Sequence, residues 1–193
     1  MEYILFFIFA LVFSVLINGL FLKFSRTMGT KNNPGETQIR WGSTSKPAFG
    51  GISFYIVFLL SFAVYAIMFA SKDIPLEFMG VLIASSIGFL IGLADDAYNT
   101  KPILKFSGQF ACAIVLIATG NCIDIAGNDI VNYILTFVWV IGMMNSINML
   151  DNMDGITTSV SIGVICTILF SLILSQNTDH LYFWVLLGTV AAL

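Results

Sequence analysis

Residues 131–155 read Val-Asn-Tyr-Ile-Leu-Thr-Phe-Val-Trp-Val-Ile-Gly-Met-Met-Asn-Ser-Ile-Asn-Met-Leu-Asp-Asn-Met-Asp-Gly. An apolar run of membrane-spanning character passes directly into Asn145, Asn148, Asp151 and Asp154, polar side chains spaced three apart. A charge near the bilayer centre costs at least about 2.5–3.5 kcal/mol on insertion scales, so carboxylates in such a place point to a site. Each three-residue step falls about 60° short of a full helical turn, so Asn145 and Asn148 share a face while Asp154 would end on the side opposite Asn145. Either the turn tightens towards 3₁₀ or the helix ends near Asp151, with Gly155 as a flexible exit.

The rest of the chain has the composition of a membrane protein. Of its 193 residues, 58% are hydrophobic and 10% charged, against about 25% charged in an average soluble domain; the mean hydropathy is +0.94. The net charge of −3 says little, because in a membrane protein the placement of charges matters more than their sum. No nucleic-acid partner is expected. Cys112, Cys122 and Cys166 form no C-x-x-C pair and read as small apolar packing residues.

Spans are expected near Tyr3–Leu22, Ile52–Ala70, Phe78–Leu93, Phe106–Gly120, Val131–Met144 and Ile156–Leu174, with a seventh starting at Leu181 and cut short at Leu193. The first has no basic residues before it and no small-residue cleavage site, so it is a retained helix. The expectation is an all-α polytopic membrane protein: six complete transmembrane helices plus a truncated seventh, forming one integral membrane domain over residues 1–193. Lys23, Arg26, Lys31, Arg40 and Lys46 follow span one, Lys101 and Lys105 follow span three, and only Lys72 falls on the opposite side. The positive-inside rule then puts the N-terminus outside and these loops in the cytoplasm. Tyr3, Tyr133, Tyr182 and Trp184 would lie at the outer interface as aromatic anchors.

That topology gathers Asp95-Asp96, Lys101, Lys105, Asn145, Asn148, Asp151 and Asp154 at the cytoplasmic face. Neighbouring helical residues point about 100° apart, so Asp95 and Asp96 take different roles unless the helix breaks between them. Carboxylate and amide oxygens are hard ligands suited to Mg²⁺ or Mn²⁺, and no Cys/His cluster offers a zinc site. Lysines beside such a group make sense if the missing partner is a polyphosphate. Lys105 and Gln109, at i and i+4, share a helix face and could both address it. Taken alone, Asp-Asp after a span also reads as a solvated terminus, and Lys101 as a topology determinant.

Jointly these motifs resemble the polyprenyl-phosphate N-acetylhexosamine-1-phosphate transferases, the MraY/WecA-like enzymes of glycosyltransferase family 4. The matching elements are Pro47-Ala48-Phe49-Gly50-Gly51, Gly92-Leu93-Ala94-Asp95-Asp96, Lys105-x-x-x-Gln109 and Asn145-x-x-Asn148-x-x-Asp151-x-x-Asp154-Gly155. The resemblance implies Mg²⁺-dependent transfer of a sugar 1-phosphate from a UDP-N-acetylhexosamine, such as UDP-N-acetylglucosamine, to polyprenyl (undecaprenyl) phosphate. UMP is released, and the lipid-linked product initiates a cell-envelope polysaccharide such as cell wall or lipopolysaccharide. The setting implied is the bacterial cytoplasmic (inner) membrane, with the active site facing the cytoplasm and a homodimer left open. By motif position, Asn148 and Asp151 lie at the metal, and Lys105 holds diphosphate oxygens. Asp95 or Asp96 accepts a proton from, or orients, the lipid phosphate, with Asp151 the third catalytic carboxylate. Gln109, Asn145, Asp154 and Gly155 position substrate.

Asn152 stands where many relatives carry Gly. The family's later cytoplasmic loops, with an Asp ligand and a His-containing motif, have no counterpart, and His180 falls on the outer face. The chain is therefore expected to be the N-terminal part of a longer transferase of about ten helices, inactive as a fragment. The alternative is a cation-coupled transporter using Asp151 and Asp154. Transporter sites lie near the midplane, commonly between inverted repeats, whereas these carboxylates lie at one face and no repeat is visible.

Overall fold

The computed structural model describes residues 2–27, 50–68, 74–98, 100–150, 155–176 and 181–192. Among these the chain forms seven α-helices and no strand: α1 (Glu2–Thr27), α2 (Gly50–Met68), α3 (Leu76–Tyr98), α4 (Pro102–Ala118), α5 (Asp129–Leu150), α6 (Ile156–Leu174) and α7 (Leu181–Ala192). Hydrocarbon offers no partner to backbone N–H and C=O groups, and a helix satisfies them within one segment. Four helices are long and apolar enough to cross a membrane, over Tyr3–Phe21, Leu76–Asp95, Asp129–Leu150 and Ile156–Leu174. Gly51–Val64 and Pro102–Ala118 are shorter apolar helices. This is the make-up of a polytopic helical membrane protein.

The residues fall into two compact units. One, residues 66–164, is built on α3, α4 and α5. Pro102 occupies the first turn of α4, where its missing N–H costs nothing and its fixed φ suits the helix. The Asn128 side chain caps α5 by accepting from Ile130 N at 2.9 Å.

Helices α3 and α4 run antiparallel at close range because small residues line their seam. A Cβ on Gly80 would strike the Thr119 side chain, and one on Gly108 would strike Ile91. Between them Ala84, Cys112 and Ala113 are buried, and Cys112 Sγ donates to Ala84 O at 3.3 Å. Without a hydrophobic drive between helices in lipid, close backbone approach through small residues supplies the packing. Helix α5 lies antiparallel to α4, with Phe110 and Phe137 edge to face at 4.7 Å.

The connection from α4 to α5 is tied down by side chains. Thr136 Oγ1 accepts from Ile123 N at 2.9 Å. Asn132 accepts from Ala126 N and donates to Ala126 O and Asp124 Oδ1. Asn121 Nδ2 donates to Glu77 O at 2.6 Å. These contacts satisfy an irregular backbone that has no ladder of its own.

The other unit comprises residues 1–65 and 165–193. Ala10, Val57 and Ala191 form its buried centre, with Phe7, Phe13 and Phe54 packed around it. Asn18 Nδ2 donates to Ser14 Oγ at 3.3 Å and Ser53 Oγ donates to Asn18 Oδ1, a polar stitch between α1 and α2. Trp184 corrects the expectation of an interfacial anchor. It is 1% exposed, with Tyr3 and Phe6 against it at 4.8 and 5.2 Å. An anchor presents its ring to headgroups; this one fills the space between α1 and α7. Tyr133 does stay exposed, and the side chain of Tyr182 lies outside the described residues. Of the cysteines, all unpaired, Cys112 packs as expected while Cys166 is exposed.

Candidate active site at the end of the α3–α4–α5 unit

Helix α3 runs on through Tyr98, so Asp95 and Asp96 belong to an unbroken last turn. Their positions therefore step about 100° around one axis. Asp95 faces α4. Its Oδ2 accepts from Lys105 Nζ at 2.6 Å, and its Oδ1 accepts from both Thr100 N at 3.1 Å and Thr100 Oγ1 at 2.8 Å. The side chain of Asp96 lies outside the described residues.

The pair sits at a wet edge, with Lys105 and Asp95 side chains 36% and 25% exposed. An ion pair of that exposure contributes at most about 1 kcal/mol. Its weight is geometric: it fixes an ammonium at the mouth of the α3–α4 seam.

One turn along α4, Gln109 meets α5. Gln109 Nε2 donates to Asn145 Oδ1 at 3.0 Å, and Asn145 Nδ2 donates back to Gln109 Oε1 at 3.2 Å. Lys105 and Gln109 thus serve α4 in two directions, one gripping α3 and the other α5. Asn148 is exposed, one turn beyond Asn145 towards Leu150. Asp151, Asn152 and Asp154 lie outside the described residues, as do Pro47, Ala48 and Phe49. Gly155 opens α6 with φ of +76°, a left-handed conformation that suits glycine.

Of the expected residues, Asp95, Lys105, Gln109, Asn145 and Asn148 have described side chains at this end, and Asp96 is placed there by its backbone. Thr100 was not among the expected residues. Its signal is a hydroxyl just ahead of the Lys101-Pro102 helix start, a position where Ser and Thr commonly bond to local polar groups.

The donors here are carboxylate and amide oxygens, and among the described residues no group of three His, Cys, Asp or Glu side chains comes together. Oxygen donors of this kind fit a hard ion that completes its shell with water and phosphate.

Comparison with known proteins bears on the family of the chain. A protein of Bacillus subtilis named "Probable undecaprenyl-phosphate N-acetylglucosaminyl 1-phosphate transferase" is 22% identical over 84% of this chain and 46% of its own length. The decaprenyl-phosphate N-acetylglucosaminephosphotransferase of Mycobacterium leprae is 25% identical over 72% of this chain and 39% of its own. The phospho-N-acetylmuramoyl-pentapeptide-transferase of Staphylococcus saprophyticus is 29% identical over 62% of this chain and 43% of its own. The chain thus spans less than half the length of these three relatives. No solved structure matches it. Residues 78–193, more than half of the chain and all of the α3–α5 site, match the family described as Glycosyl transferase family 4, and the chain belongs to that family.

Proposed function

We propose that this protein transfers N-acetylhexosamine 1-phosphate from a UDP-sugar to a polyprenyl phosphate, undecaprenyl phosphate in the first instance. An oxygen of the lipid phosphate attacks the sugar-bearing phosphorus, a new P–O–P link forms, the bond to the uridine-bearing phosphate breaks, and UMP leaves. The product is the first lipid-linked intermediate of a cell-envelope polysaccharide. The observation that carries this reading is the Lys105–Asp95 pair at the mouth of an apolar helix seam, in a chain of this family. Phosphoryl transfer asks mainly for alignment and charge neutralisation, which an aimed ammonium supplies.

In this reading Lys105 holds diphosphate oxygens. Asp95, already bonded at both oxygens, orients Lys105, which leaves Asp96 to orient the lipid phosphate or accept its proton. Gln109, Asn145, Asp154 and Gly155 would position the donor. Asn148 and Asp151 would hold Mg²⁺, or Mn²⁺, which would offset the diphosphate charge. The reactive end faces the cytoplasm of a bacterial inner membrane, with the N-terminus outside. Supporting this, one end of the α3–α5 unit carries Lys101 and Lys105 and the other carries Glu77, Asp124 and Asp129.

The test is UMP release by membranes carrying the protein at full length, given UDP-N-acetylglucosamine, undecaprenyl phosphate and Mg²⁺, against membranes without it. Release is expected to stop with EDTA and return with added Mg²⁺. Release undiminished in Asp95→Asn, Asp96→Asn and Asp151→Asn variants overturns the site.

A further inference from the structure

The function above assigns no task to Thr100, yet among the described residues Thr100 makes two of the three hydrogen bonds that hold Asp95. Helices α3 and α4 are joined by residues 99–101 alone. Within that short turn, both Thr100 N and Thr100 Oγ1 converge on one oxygen, Asp95 Oδ1. A carboxylate on the last turn of an exposed helix end has rotamers that turn it to solvent. With Oδ1 held from the connection, Oδ2 is left facing α4, where Lys105 meets it at 2.6 Å.

Lys105 is the long, flexible member, and its stem carries about 2 kcal/mol of rotamer entropy. A lone partly exposed partner restrains such a side chain weakly. A partner that is itself fixed restrains it better, because only one side chain then has to be ordered. The connection, the carboxylate and the ammonium form a chain in which the first link is the short and β-branched one, stiff at χ1.

We propose that Thr100 is a positioning residue of the transferase site: its hydroxyl and backbone N–H lock the Asp95 carboxylate towards α4, and Asp95 in turn delivers the Lys105 ammonium to the diphosphate. The reaction role rests on the function proposed above; the lock itself does not. Thr100 never touches substrate. Its loss lets Asp95 turn away and Lys105 wander.

Thr100→Val in the full-length protein keeps the shape and the backbone donor and removes only the hydroxyl. UMP release is expected to fall about tenfold, the cost of one hydrogen bond to a charged group, mainly in kcat, the quantity through which Lys105 acts. Thr100→Ser restores it. The readout independent of activity is acylation of Lys105 by acetic anhydride, followed by mass spectrometry and referred to the exposed Lys101. Acylation is expected to accelerate in Thr100→Val and in Asp95→Asn and to stay at the parent rate in Thr100→Ser. Unchanged acylation in Thr100→Val overturns the lock, whatever UMP release does. Accelerated acylation with unchanged UMP release overturns its part in the reaction. Accelerated acylation in Thr100→Val when the parent protein itself releases no UMP upholds the lock and overturns the transferase reading instead.

Discussion

A lysine ammonium 2.6 Å from a carboxylate that also accepts two bonds from Thr100 is a group held in place, and under the proposed function its energetic worth lies in the reaction. Removing one preorganised donor from a developing charge typically costs about 10²–10³ in rate. Lys105→Met is expected to lose UMP release on that scale, measured at saturating substrate. Adding Asp95→Asn to it is expected to cost little more, because the two side chains act as a unit. The Gln109–Asn145 pair calls for a different measurement. Asn145→Leu or Gln109→Leu alone leaves one amide without its partner, for a loss of about 1 kcal/mol; in the double variant both polar groups are gone and the melting temperature in detergent is expected to recover. UMP release that stays low in the recovered double variant assigns these amides to substrate. Release that recovers with stability makes them a lock between α4 and α5.

Among the helices, the α3–α4 seam is the element on which the site depends. Gly80→Ala drives a methyl into the Thr119 side chain, whereas Gly142, in α5, has nothing within 4 Å of an added Cβ. Gly80→Ala is expected to destabilise by about 1–3 kcal/mol. Gly142→Ala is expected to be neutral or stabilising by up to about 1 kcal/mol through helix propensity. Thermal unfolding in one detergent compares them, and equal midpoints would contradict the close approach at Gly80. The helices themselves were legible as long apolar runs punctuated by Lys101-Pro102, the 119–128 stretch and Gly155. The seam was not read. The periodicity of small residues at Gly80, Ala84 and Gly88 is visible in the sequence, but small residues also face lipid, and only packing shows which ones a neighbour touches.

For the whole molecule, the placement of Lys101 and Lys105 at one end of the α3–α5 unit, with no lysine or arginine among the described residues at the other, predicts sidedness. In intact cells of a Cys166→Ser background with the remaining cysteines also replaced, cysteine at Gly127 is expected to react with an impermeant maleimide. Cysteine at Lys101 is expected to react only after lysis, and the reverse pattern would invert the topology and put the site outside. The sequence alone determined that the chain is helical and membrane-bound, that its polar residues cluster at helix ends, and that its motif set resembles that of glycosyl transferase family 4. Those features are written in composition, run length and residue order, which survive without any knowledge of packing. Tertiary structure decided who pairs with whom: Asp95 with Lys105 and Thr100, Gln109 with Asn145, and Trp184 inward against Tyr3 and Phe6. Each of these is a contact between segments, set by how closely two helices approach and how they are rotated. A single sequence does not carry those distances, because many rotations of an apolar helix bury it equally well in lipid.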